Sequence, residues 1–212
     1  MYFNYFLYIL YLLVLALCVL FGGLKWRRMD RAMRIFFVLI MTIVVSEFAA
    51  IIFECYYGTN NELYNAADVV QSILIFWYFS INLKKPILGT LLMLSTLVFG
   101  VVNYYFVQSE SLVNNYFLLW SGTIVIGLCL YQMSSLAQRQ NSIRLIRSAH
   151  FLIAFALLCY WVINMLNFQL FNYVAMNHTE YAIFMNIAHL CSNIITYLSF
   201  AFIFFHLSKL IQ

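Results

Sequence analysis

The stretch Ile35–Tyr57, IFFVLIMTIVVSEFAAIIFECYY, decides how the rest of the chain is read. It is long and apolar enough to cross a bilayer, for which about 20 residues suffice. It nevertheless carries two carboxylates, Glu47 and Glu54. An ionisable side chain inside a membrane span is costly, so it normally faces protein or a water-filled cavity and marks a functional site. Seven residues at about 100° each return to nearly the same helix face, roughly 10 Å further along the axis. The next apolar run, Tyr64–Leu83, adds Asp68.

Outward from that stretch the composition is uniform. Of 212 residues 66% are hydrophobic and only 8% charged, with a single proline. Soluble domains carry about 25% charged residues, so the chain reads as an integral membrane protein with no room for a separate soluble domain. Seven spans are expected, at 4–24, 35–57, 64–83, 86–107, 115–137, 148–172 and 181–207. The connections are short, which makes sequential helices antiparallel neighbours. The runs are too long and too continuously apolar for β-barrel strands. Met1–Leu24 lacks a basic n-region and is expected to be a retained first span. The five cysteines, all inside apolar runs and without metal spacing, read as small hydrophobes. Gly122 and Gly127 miss the G-x-x-x-G spacing of a helix-dimer motif.

Charge orients the drawing. All eleven lysines and arginines fall on one side of it. Lys25, Arg27, Arg28, Arg31 and Arg34 lie in the first loop, and Lys84 and Lys85 in the third. Arg139, Arg144 and Arg147 lie in the fifth, with Lys209 after the last span; Asp30 is the sole acid among them. The positive-inside rule places that side in the cytoplasm and the N-terminus outside. The fold expected is therefore an all-α, polytopic seven-transmembrane-helix bundle in the cell inner membrane, with a cytoplasmic C-terminus. Glu62, Glu110 and Glu180 fall in the outer loops. Tyr56, Tyr57, Tyr64, Tyr104, Tyr105, Tyr116, Trp120, Tyr173 and Tyr181 map near the outer surface and read as an interfacial aromatic belt. Asn177-His178-Thr179 fits a glycosylation sequon, but it lies hard against the membrane.

Depth follows from the 1.5 Å rise per residue. Glu47 comes out about 15 Å from the outer end, Gln71 and Asn167 about 10 Å, and Glu54 and Asp68 about one turn in. Asn164 lies slightly deeper, and Asn186, His189 and Asn193 form a stripe on one face of the last span. Such groups need partners in hydrocarbon. Two readings stand: interhelical hydrogen bonds that only hold the bundle together, or the lining of a pocket in its outer half. The pocket residues would be Glu47, Gln71, Asn164, Asn167, Asn186, His189 and Asn193, with Glu54 and Asp68 at its mouth. Glu47 is expected to be neutral or paired with His189, since no lysine or arginine lies inside the bundle. The loop Lys25–Arg34 is either a docking surface for a partner or a contact for anionic lipid.

Several chemistries find no support. A retinal Schiff base needs a lysine mid-way along the last helix, and the nearest is Lys209 at its end. A zinc hydrolase needs three or four ligands converging on one ion. His189 is mid-membrane, whereas His150 and His206 map to the cytoplasmic ends and His178 to an outer loop. No catalytic residue, metal or other cofactor, and no nucleic-acid partner, is expected.

The chain also resembles a group of seven-span proteins from Bacteroidota-type bacteria that are often encoded beside sensor histidine kinases. The similarity runs through Arg27-Arg28-Met29-Asp30-Arg31-Ala32-Met33-Arg34-Ile35-Phe36-Phe37 and Glu47. It continues through Tyr64 with Ser72-Ile73-Leu74-Ile75-Phe76-Trp77-Tyr78-Phe79, then Ile187-Ala188-His189, Asn193 and Tyr197. Where the group often has glutamate, this chain has Gln71. The resemblance implies no established activity. It leans toward a sensor or adaptor that acts through a separate partner such as a histidine kinase. A small-solute or proton-coupled carrier or channel is the alternative, and an intramembrane lipid-active hydrolase the third reading.

Overall fold

The computed structural model describes residues 2–108, 112–139 and 145–210. They form seven long helices: α1 (Tyr2–Lys25), α2 (Arg31–Tyr57), α3 (Asn61–Asn82), α4 (Pro86–Val102), α5 (Asn115–Arg139), α6 (Ala149–Asn177) and α7 (Thr179–Phe205). Each overlaps one expected span, and α6 continues past Asn172 to Asn177. Glu110 and Arg144 lie outside the described residues, as does the Thr179 side chain of the sequon. Six of the helices are long and apolar enough to cross a membrane. The exception is α3, which carries Glu62, Asn65, Asp68 and Gln71.

Local chemistry sets the helix ends. Asp30 caps α2, its Oδ1 accepting the Met33 backbone N–H at 2.7 Å, and so satisfies a donor the first turn cannot. Gly58 stops α2 at φ 72°, the left-handed region in which a glycine meets no Cβ penalty. Pro86 opens α4, where its missing N–H is harmless. At its far end α4 widens into a π-helical turn, Asn103–Val107, with the Gln108 N–H reaching the Asn103 carbonyl at 2.9 Å.

The helices pack as α1 on α7, α7 on α6, α6 on α5, α2 on α3 and α3 on α4. Sequential neighbours are thus the rule, with two corrections. α1 meets α2 far less than it meets α7, and α4 barely touches α5. At the inner end α1 and α2 are in close contact, because Gly22 presents bare backbone to the Phe37 ring. Beyond that point they splay.

The half nearer the basic loops is filled with aromatic rings. Phe36 packs on Tyr78, Phe200 and Phe204, with ring centroids 5.3, 4.8 and 6.4 Å away. The outward faces stay apolar and exposed, as at Leu13, Val45, Phe48, Leu94, Val98, Ile163 and Leu166. Such a surface suits lipid. Lipid tails are as apolar as leucine, so burial alone gives little drive for helix association, and close packing and interhelical hydrogen bonds must supply it. Gly122 shows the packing side: an added Cβ would lie 2.6 Å from Trp161 Cε3.

Candidate functional site

Where α1 and α2 part, the halves of α1, α2, α3, α6 and α7 away from the basic loops line a half-open cavity of about 910 Å³. It is at the upper end of the volumes usual for small-molecule sites, about 300–1,000 Å³. Glu47, Gln71, Asn167, Asn186, His189 and Asn193 all line it, and Glu54 and Asp68 do so too. Eight of the nine expected pocket and mouth residues therefore meet at one cavity. The ninth, Asn164, is buried behind the wall and acts on a residue that lines it.

Glu47 is the centre of one wall. Tyr11 donates its phenol O–H to Oε1 at 2.9 Å, while Tyr8 and Tyr64 both donate to Oε2 at 3.1 Å. Three helices thus converge on one carboxylate. This corrects two expectations. Glu47 is held by phenols and not by His189, and Tyr64 is a donor in the bundle instead of a belt residue. Trp120 also leaves the belt, packing 5.3 Å from Phe99. The belt reading fits Tyr56, Tyr57, Tyr105, Tyr116, Tyr173 and Tyr181, which are exposed.

His189 belongs to a separate relay carried by α6 and α7. Its Nδ1–H donates to Asn164 Oδ1 at 3.0 Å, and its Nε2 accepts from Asn193 Nδ2 at 3.1 Å. This tautomer follows from Asn164, whose Nδ2 already donates to the Tyr160 carbonyl at 2.9 Å and to Ser192 Oγ at 2.6 Å. Only Oδ1 is left to face the ring. Elsewhere on the walls, Gln71 Nε2 donates to Ser46 Oγ at 3.4 Å. Glu54, at the mouth, accepts from Asn60 Nδ2 at 3.2 Å. Asn167 donates to the Met185 carbonyl at 3.0 Å, and its own Oδ1 is buried without a partner among the described residues.

Two further polar assemblies went unforeseen. The first is a carboxamide latch at the outer end, where side chains pair with backbone as a neighbouring strand would. Asn65 accepts from the Asn114 N–H and donates to the Leu112 carbonyl. Asn172 brackets Val113 in the same way, at 3.2 and 2.8 Å, and Gln169 and Asn115 exchange side chain-to-carbonyl bonds. The α4–α5 connection is thereby tied to α3 and α6.

The second assembly is at the basic end. His150 Nε2–H donates to Asp30 Oδ2 at 2.8 Å, and the Tyr78 hydroxyl oxygen lies 3.1 Å from His150 Nδ1, joining the starts of α2 and α6 to α3. Burial pushes the Asp30 carboxyl up. The His150 hydrogen bond, the Met33 N–H and the His150 charge outweigh it, and the group settles below its ordinary value. Beside it Arg27, Arg28, Arg31 and Arg34 are exposed and Lys25 is half-buried, with the Arg34 guanidinium 5.7 Å from the Trp26 ring centre.

No protein-family model matches the chain, and neither a curated protein nor a solved structure is detectably similar to it. Any functional reading therefore rests on the chemistry of the cavity and of the two bundle ends.

Proposed function

We propose that the chain is a seven-span sensor or adaptor of the inner membrane, with its N-terminus outside and its C-terminus in the cytoplasm. In this reading it binds a small ligand in the outer cavity and passes the event to a separate partner. The observation that carries the reading is the cavity itself. About 910 Å³ of space is lined by Glu47, Asp68, Gln71, Asn186, His189 and Asn193, residues from the consecutive helices α2 and α3 and from the distant α7. Polar groups serving only as glue would be expected to close on one another and leave no such space.

Signal transfer needs a mechanical route, and α1, α2 and α7 offer one. α2 carries Glu47 in the cavity and begins at Asp30, which is bonded to α6 through His150. α7 carries His189 and, further in, Phe204, which meets Phe37 edge-on at 5.8 Å. A ligand that pulls α1 toward α2 around Glu47 would shift packed helices at the basic end, the small interface movement on which many switches rely. The aromatic packing around Phe36 favours this over a carrier, which would need a path through the inner half.

The test uses the full chain in nanodiscs and in proteoliposomes. A small molecule that protects the cavity helices from hydrogen exchange should also change exchange in the 25–34 loop, and should not accumulate in the vesicles. Accumulation would transfer the assignment to a carrier. Binding that leaves the 25–34 loop unchanged would remove the sensor reading.

A further inference from the structure

Around Glu47 the cavity's hydrogen-bonding capacity is lopsided, and the imbalance there points to a guest. All three phenol hydrogens around Glu47 are spent on the carboxylate. What Tyr8, Tyr11, Tyr64 and Glu47 can still offer is oxygen lone pairs. A donor-rich guest satisfies those lone pairs.

Charge points the same way. Glu47, Glu54 and Asp68 line the cavity, and among the described residues no lysine or arginine does. His189, the one basic side chain among the described lining residues, has both ring nitrogens engaged by Asn164 and Asn193. An anionic guest would meet acids and no cation. Nor is a bare metal ion suited, since among the described residues no three His, Cys, Asp or Glu side chains converge. Meanwhile Tyr160, Phe168, Phe171 and Leu190 give the cavity an apolar and aromatic side, which accommodates a hydrocarbon body and the face of a cation.

We propose that the cavity takes an organic cation, a primary ammonium group seated against Glu47 with its apolar body along Tyr160, Phe168, Phe171 and Leu190. A quaternary ammonium would bring the charge without the N–H donors that the acceptor oxygens require. The inference rests on the cavity being a binding site. The ammonium could belong to a free amine entering at the outer mouth or to an ethanolamine lipid headgroup.

A matched trio tests it: tryptamine, its neutral counterpart tryptophol, and the anionic indole-3-acetate. Each is titrated calorimetrically into the full chain in phosphatidylglycerol nanodiscs. Tryptamine should bind about tenfold or more tighter than tryptophol, the worth of hydrogen bonds to a charged group, and indole-3-acetate weakest of all. In Glu47→Gln the preference for tryptamine over tryptophol should collapse toward parity. The wild-type trio decides the sign of the charge alone, so a Glu47→Gln chain that does not fold leaves the test intact. Equal binding of amine and alcohol, or preference for the acid, would overturn the cation while leaving a ligand pocket standing. No binding by any of the three up to about millimolar concentration would overturn both. Phosphatidylethanolamine added to the discs separates the sources. Weaker tryptamine binding then identifies the lipid headgroup as occupant, and unchanged binding identifies a free amine.

Discussion

The sharpest consequence of the Glu47 cluster is that its three tyrosines are not equivalent. Tyr11 is 2% exposed and is the sole donor to Oε1, whereas Tyr8 and Tyr64 share Oε2 and are only half-buried. Tyr→Phe removes the hydroxyl and keeps the ring, so the contacts of Tyr11 with Tyr8 and Tyr197, at 6.0 and 5.7 Å, survive. An interhelical hydrogen bond between neutral groups in a membrane protein averages about 0.6 kcal/mol, and one to a charged group is worth about 1.5–3 kcal/mol. Tyr11→Phe strips Oε1 bare and should cost about 2 kcal/mol, near the middle of the charged range. Tyr8→Phe or Tyr64→Phe leaves Oε2 with one phenol and access to water, and each should cost about 0.5–1 kcal/mol, closer to the neutral average. The Tyr8→Phe/Tyr64→Phe double variant should exceed the sum of its singles, because only then does Oε2 lose every donor. Equilibrium unfolding in mixed micelles, read by circular dichroism, measures all four. A Tyr11→Phe cost equal to or below that of Tyr8→Phe, together with an additive double variant, would refute the asymmetric cluster.

Other outcomes follow from single contacts. Asp30→Asn keeps the N-cap, since asparagine caps as well as aspartate, but removes the charge facing His150. Because the folded Asp30 carboxyl is held below its unfolded value of 3.8, its contribution is fully present above that pH and fades as pH falls through and below it. The stability gap between wild type and Asp30→Asn should therefore shrink on acidification below 3.8, and a pH-independent gap would count against the relay. Asn172→Leu strands the Val113 N–H, while the Val113 carbonyl keeps the Asn115 N–H at 2.8 Å. It should cost about 1–3 kcal/mol and raise hydrogen exchange across 112–115. Gly122→Ala drives a methyl into the Trp161 ring and should destabilise by about 1–3 kcal/mol. Gly127→Ala meets nothing within 4 Å and should stabilise α5 by up to about 1 kcal/mol. Thermal unfolding of the pair reads both signs.

How much of this the sequence could reveal depended on how conspicuous each residue type is in lipid. Glu47 and His189 stand out in an apolar run because an ionisable group there is expensive, and counting residues from the outer end put both at cavity depth. Tyrosine is inconspicuous, because near a membrane surface it is ordinary, and that is why Tyr64 read as belt. Tyr8 and Tyr11 left a trace: with Asn4 they fall four and three residues apart, a polar stripe on one face of an otherwise apolar α1. The latch left none. Asn65, Asn115, Gln169 and Asn172 sit near helix ends, where carboxamides are unremarkable, and only the folded connection between α4 and α5 shows what they bracket.

The mistaken pairing of Glu47 with His189 bears on why the cavity exists. A buried acid and a buried base in neighbouring helices would draw together, and the bundle would close over the pair. Here each is satisfied on its own side: Glu47 by phenols from α1 and α3, and His189 by carboxamides from α6 and α7. With each group already bonded to its own neighbours, little attraction pulls one toward the other, and the space between them can stay open. The aromatic contact of Tyr11 with Tyr197 joins α1 to α7, while the Asn65 and Asn172 brackets hold α3 and α6 to the same connection at the outer end. Those two ties, one through Tyr11 and Tyr197 on the cavity's own lining and one through the carboxamides of Asn65 and Asn172, join the helices around the cavity without filling it.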